Sequence, residues 1–402
     1  MDRRVVVTGM GVVSPIGSDL PSFWDGLSTG KCGIEKREYA LDDLTLTVPT
    51  AAVDDVEERL AAQSRDIARA DRVSKLAVAA AAEAVENSGL EITDALAPRA
   101  ACIIGTGIGG QGTFDQCYEN ILRKGRKPHP LSILKVIPNA PASHISIQYG
   151  MRGPAFAISS ACASGAHAIG VCADLIRTGS ADVGLAGASE AILNFGALEA
   201  WRAMHILASD TCRPFSKNRN GLVIGEGAGV LVLEEETHAR NRGANILARV
   251  AGFGMNADGN DMINPAVDGA AGAMQLALDG VTVDDTSKVY VNAHGTGTLL
   301  NDPTETKAIR TVFGAGADEL LVSSTKSMHG HLLGAAGGIE TIASILALQN
   351  NAAPPTINYD EPDPDCDLNY TPNNVVEREF SMAISNSFAF GGLNAVVAFE
   401  KA

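Results

Sequence analysis

A chain of 402 residues, 46% of them hydrophobic, is long enough for one large core or two fused ones. Its 31 basic against 47 acidic residues, a net charge of −16, disfavour nucleic acid and anionic membrane as partners. Seven cysteines at irregular spacing, with no CxxC pair and no secretory signal, point to reduced thiols in the cytoplasm and away from structural zinc, and no apolar window approaches the ~18 residues of a membrane span.

In chain order, β-branched runs alternate with Ala-rich helical stretches: RRVVVTGM, SKLAVAAAAEAVENSG, AACIIGTG, AFAISS and AHAIGVCADLIRTG. This alternation predicts an α/β fold. Near Ile246 the pattern restarts, with ARVAGFGMNADGND echoing the opening RRVVVTGMGVVSPIGSD, so two similar halves are expected over 1–240 and 241–402. No low-complexity linker separates them, and Asn358 to Asn374, rich in Pro and Asp, reads as a long loop.

The turn GTGIGG at Gly105 to Gly110 fits a dinucleotide fingerprint formally, but no acidic residue follows at ~20 residues and no convincing apolar helix opens after it. SSACASG sets Cys162 between the run Ala155 to Ile158 and a helical stretch beginning at Ala163. Small flanking residues permit close approach, and a helix N-terminus aimed at the sulfur is expected to lower the thiol pKa.

Further along, KVYVNAHGTGT predicts a strand over Val289 to Asn292 with His294 just past its C-terminal end, where open α/β sheets form their crevices. The following NDPTETKAIRTVFG predicts a helix capped by Asp302, with Pro303 at its first position and Gly314 as its stop. LLVSSTK, SMHGHLLGAAGG and IETIASILALQ repeat the strand, glycine bend and helix, and gather Lys326, His329 and His331 at a second strand end. Zinc on the His329 and His331 pair is disfavoured by its i,i+2 spacing and the lack of a third ligand nearby, so no metal site is expected.

SSACASG, VNAHGTGT, STKSMHGHLLGAAG and NSFAFGG resemble the four signature segments of elongating β-ketoacyl-acyl carrier protein synthases, in the family's order and spacing. GMGVVSPIG, RGPAFAI and GEGAGVLVLEE extend the likeness over essentially the whole chain. The resemblance implies a thiolase-like αβαβα five-layer fold, a tight dimer, no cofactor, and a decarboxylative condensation of malonyl-carrier protein with an acyl group held on Cys162. It implies His294 and His331 as the enolate-stabilising histidines, Lys326 as the charge that orders them with Glu340 as its partner, and Cys162 and Phe390 as the oxyanion hole, Phe390 also gating the acyl pocket.

By the same resemblance Thr296 and Thr298 hold the pantetheine arm, while Ile108 and Leu198 mark the acyl pocket. Arg65, Arg69, Arg126, Lys127 and Arg202 are the candidate cations for an acidic acyl carrier protein. A thiolase needs a second reactive cysteine that NSFAFGG lacks, and a CoA-primed initiating synthase would carry asparagine at His331. A chain-length-factor subunit would lack Cys162. GTGTLLND resembles polyketide and nodulation-type synthases as well as fatty-acid ones, so the chain could pair with itself or with a chain-length-factor-like subunit.

Overall fold

The computed structural model describes residues 3–54, 67 and 69–402. Ten strands form the main sheet: β1 (Val5–Val13), β2 (Ala100–Gly105), β3 (Ala155–Ile158), β4 (Val183–Glu190), β5 (Gly227–Glu235), β6 (Ala248–Ala257), β7 (Val289–Asn292), β8 (Leu321–Ser323), β9 (Met382–Ala389) and β10 (Leu393–Glu400). Their spatial order is β8-β7-β9-β10-β6-β1-β5-β4-β2-β3.

That order is one five-strand pattern used twice. Counting outward from β1, the first half runs first, fifth, fourth, second, third; counting outward from β6, so does the second half. The pairing senses repeat as well: first with fifth and fifth with fourth are antiparallel, while fourth with second and second with third are parallel. A short antiparallel contact, Val6 with Arg249 and Val7 with Ala248, joins the halves.

Most strands are buried on both faces, which requires covering layers on each side. Helices α1 (Arg72–Ser88), α2 (Ser164–Arg177), α3 (Val267–Ala277), α4 (Asn301–Phe313) and α5 (Ala336–Asn350) supply most of them. Ile169 and Ile176 of α2 and Ile339 and Ile342 of α5 share a core with Val5 and Val7 between the two halves. The outer cores are Val73, Leu76 and Val78 of α1 on Val230 and Val232, and Ala270 and Met274 of α3 with Ile309 of α4 on Val291 and Ile384. The result is the expected five-layer αβαβα arrangement, and α5, buried from Ala336 to Leu348, reads as a central helix because no polar face interrupts it.

The helix after His294 begins at Asn301, two residues earlier than a cap at Asp302 predicts, with Leu300 at the cap position. The Asp302 carboxylate turns back instead to accept from Phe215 N at 2.7 Å and Gly297 N at 3.2 Å. Gly314 does close this helix, at φ 55°. Asn358 to Asn374 contains no helix and no strand beyond isolated bridges.

The two central helices cross at glycines near their N-termini. A Cβ on Gly165 would lie 2.6 Å from Gly338 N, so only hydrogen fits there. Gly165→Val is expected to lower stability by about 2 kcal/mol or more, the usual penalty of overpacking, read as an earlier midpoint in urea; an unchanged midpoint would contradict this packing.

Candidate active site

Cys162 sits in a tight bend between β3 and α2, and Ala161 before it adopts φ 48°, a left-handed conformation that a non-glycine residue holds only when its surroundings impose it. His294 lies two residues beyond β7, and His331 lies in the bend between the short helix Lys326–His329 and α5. Thus the turns that follow β3, β7 and β8 converge although they come from different halves.

The convergence is close. His331 Nε2 is 3.1 Å from Cys162 Sγ, the two imidazole rings stand edge to face with centroids 5.4 Å apart, and the sulfur and one nitrogen of each ring all lie within 4.8 Å of one another. Leu333 N donates to His331 Nδ1 at 3.2 Å, so Nδ1 carries the lone pair and Nε2 carries the proton facing the sulfur. This tautomer makes His331 a donor into the site.

Burial holds both imidazoles well below the ordinary histidine range, with Lys326 and, for His294, the neighbouring His331 adding to the effect. They are neutral at physiological pH. Lys326 and Glu340, both fully buried, form an ion pair beneath them. His329 has Nδ1 against Gly330 O at 2.8 Å and Nε2 against Thr325 Oγ1 at 3.0 Å, which leaves neither nitrogen for a metal or substrate.

For Cys162 the sequence-based expectation of a lowered pKa is overturned. Burial pushes the thiol up to about 12, which the positive charge of Lys326 and the Phe390 backbone N–H only partly oppose. A helix N-terminus was legible in the sequence, whereas depth of burial was not. The sulfur and one nitrogen of each imidazole also have a spacing that a soft divalent cation could bridge.

A cavity of about 270 Å³ leads from these groups to the surface. Thr296 and Thr298, their hydroxyls 2.9 Å apart, line it with Ile206, Leu222 and Phe388, and exposed Ile263, Leu299 and Leu300 form its rim. Phe390 lines it too, its ring stacked on Trp201 at 6.1 Å and 26°. Ile108 and Leu198 do not reach this cavity: Ile108 is exposed on the turn after β2, and Leu198 is fully buried one helical turn before Trp201.

Of the candidate docking cations, Arg65 lies outside the described residues. Arg69, Arg126, Lys127 and Arg202 are exposed, and none lines the cavity. Arg202 is three residues from His205 at the rim and pairs with Glu199 at 2.8 Å.

Two buried carboxylates of the site are ones that the sequence did not point to as site residues, Glu305 being legible there only as part of a helix start. Glu305 accepts from His294 N and Gly295 N, both at 2.8 Å, and from Asn386 Nδ2 at 3.1 Å, fixing the His294 turn. Glu190, at the end of β4, accepts from Gly107 N at 2.6 Å and Ile108 N at 3.4 Å. The glycine-rich turn after β2 therefore gives its N–H groups to a side chain, which removes the basis for phosphate binding there. An acidic residue ending the apolar run VGLAGASE was the available signal for Glu190.

Residues 2–239 match the family model for the β-ketoacyl synthase N-terminal domain, and residues 247–360 match that for its C-terminal domain. The chain is 46% identical to Nodulation protein E of Rhizobium sp. (strain N33), covering 100% of both chains. It is 40% identical to 3-oxoacyl-[acyl-carrier-protein] synthase 2 of Staphylococcus aureus (strain N315), covering 100% of this chain and 99% of the other. Among solved structures it resembles the ishigamide ketosynthase/chain length factor, at TM-score 0.92 and 34% identity, and a type II PKS ketosynthase in complex with its acyl-carrier protein, at TM-score 0.89 and 32% identity; both likenesses cover 100% of both chains.

With the thiol raised to about 12, alkylation of Cys162 by iodoacetamide should rise about tenfold per pH unit between pH 7 and 9 without levelling. Mass spectrometry of the Cys162 peptide reads this directly. A plateau below pH 9 would show a preformed thiolate.

Proposed function

Because this chain belongs to the β-ketoacyl synthase family, we propose that it is an acyltransferase-class condensing enzyme that joins an acyl group on Cys162 to the two-carbon unit of malonyl-acyl carrier protein. The single observation that carries the residue assignment is a buried sulfur facing two neutral imidazoles at the end of a largely apolar cavity. A chain-length-factor role is not favoured, since the nucleophile and both histidines are present.

In the first stage the Cys162 sulfur attacks the acyl thioester carbon, the bond to the carrier's sulfur breaks, and the carrier thiol leaves with the proton given up by Cys162. The Phe390 N–H, already facing the sulfur, and the Cys162 N–H are the donors we assign to the tetrahedral oxyanion. In the second stage the malonyl carbon–carboxylate bond breaks and CO₂ departs. The electron pair passes to an enolate whose oxygen accepts hydrogen bonds from His294 and His331, and the enolate carbon then attacks the acyl-Cys162 carbonyl and expels the cysteine sulfur. Lys326, held by Glu340, is a positioning charge for the histidines.

We place the pantetheine arm in the cavity against Thr296 and Thr298, and the acyl chain beyond Phe390, toward Leu198 and Ile108. Support comes from the stack of Phe390 on Trp201, a residue of the helix that also carries Leu198. We divide the chain into halves at 1–240 and 241–402, the first carrying the nucleophile and the second both histidines. Arg69, Arg126, Lys127 and Arg202 are the docking cations we propose, Arg202 being nearest the rim in sequence. All seven cysteines are free thiols, which supports the cytoplasmic setting we propose; no helix among the described residues is long and apolar enough to cross a membrane.

We propose a dimer formed with a second ketosynthase-like chain, identical or of the chain-length-factor type. Among the described residues strand β3 ends the sheet with one edge unpaired and Phe156 half exposed; Ile147 is exposed on helix 140–149, which packs on β3, and Phe114 and Ile121 are exposed on helix 111–122.

Cys162→Ala should abolish condensation while malonyl-carrier decarboxylation persists. His294→Ala and His331→Ala should each lose decarboxylation by about 100-fold or more, as for removal of an oxyanion donor, with acyl-Cys162 still formed; mass spectrometry showing no acyl-enzyme in either would contradict this division. Phe156→Asp should shift the protein to a monomer in light-scattering chromatography, and a retained dimer would move the interface elsewhere.

A further inference from the structure

Glu190 is fully buried, yet no cation pairs with it among the described residues. Its charge is shared instead among four donors on two turns. Oε2 accepts from Gly107 N at 2.6 Å and Gly334 N at 3.0 Å, and Oε1 accepts from Thr106 Oγ1 at 3.2 Å and Ile108 N at 3.4 Å. One turn carries Ile108. The other carries His331.

The two turns touch at backbone distance around this carboxylate: a Cβ on Gly334 would lie 2.3 Å from Gly107 N and 2.6 Å from Glu190 Oε2. Next to Gly334, Leu333 is held at φ 48°, and its N–H is the group that fixes the His331 tautomer. On the far side, Ser159 Oγ donates to Gly107 O at 2.9 Å, three residues before Cys162. Glu190 thus lies where the turns of the acyl pocket, the nucleophile and the second histidine meet.

We propose that Glu190 is a positioning residue for decarboxylation, clamping the His331 turn onto the Ile108 turn so that the His331 Nε2–H points at the developing enolate. This rests on the condensing function proposed above. A glutamine cannot substitute fully, because its single carbonyl oxygen would leave an NH₂ facing backbone N–H donors. Burial pushes the Glu190 carboxyl up to about 7, and its charge in turn raises the Cys162 thiol. Neutralising it therefore has two effects of opposite sign, which loss of structure alone would not give.

The test uses the full-length protein with acyl- and malonyl-loaded carrier protein. In Glu190→Gln, decarboxylation should fall by about tenfold or more, as for a displaced catalytic group, while acyl-Cys162 forms within about twofold of wild type. Alkylation of Cys162 by iodoacetamide at pH 8.5 should become about twofold faster. Gly334→Ala keeps the charge but pushes the turns apart, so it should lose decarboxylation without faster alkylation, and it serves if the glutamine variant does not fold.

Unchanged decarboxylation, or equal loss of both half-reactions with slower alkylation, would overturn the role given to Glu190. Failure of the wild-type chain to decarboxylate malonyl-carrier protein would instead remove the condensing function, which keeps the two failures apart.

Discussion

A thiol and two imidazoles brought within 4.8 Å of one another and buried at the inner end of a cavity impose most of what this fold has to achieve. In water the three groups would exchange protons and hydrogen bonds with solvent. Buried, each group keeps its uncharged form: the histidines stay neutral because charging them has no solvation to offset it, and the thiol stays protonated for the same reason. Such a site needs rigid backbone at every approach, because a shift of even one ångström would separate donor from acceptor.

Duplication supplies that rigidity economically. In each half the second and third strands run parallel at the outer end of the sheet, and the turns that follow them converge. Cys162 follows a third strand and His331 lies beyond the other third strand. His294 follows a second strand, whose counterpart is the turn with Ile108. Each second-strand turn is held by a buried carboxylate accepting two successive backbone N–H groups, Glu190 in one half and Glu305 in the other. Central helices α2 and α5 approach through glycines, which brings the turns within reach.

The legible parts of the sequence were those in which composition maps directly onto geometry. Strand runs, glycine turns and the restart near Ile246 were readable because burial on both faces forces apolar strands and because left-handed or crowded turns force small residues. Cys162, His294 and His331 stood out by lying at strand ends. What could not be read was long-range: Asp302 looked like a cap until Phe215 N and Gly297 N, distant in sequence or in the preceding turn, claimed its carboxylate. The thiol pKa failed for the same reason, since a local helix N-terminus is visible in sequence and the enclosing wall is not. The Trp201 and Phe390 stack joins residues far apart in the chain, and no periodicity announces it.

Neutral histidines carry a mechanistic consequence for the proposed reaction. Malonyl-carrier protein enters with a carboxylate and must lose that charge as CO₂ while negative charge appears on the thioester oxygen. A cationic imidazole would hold the ground-state carboxylate strongly and so raise the barrier to its departure, whereas a neutral N–H binds it weakly and gains most when the enolate forms. Lys326 helps in an indirect way: its charge adds to burial, the main cause, in keeping both imidazoles unprotonated, and Glu340 pairs with it. The buried ion pair is therefore better understood as a means of selecting the protonation state of its neighbours than as a source of stability, since burying such a pair gives little net stabilisation.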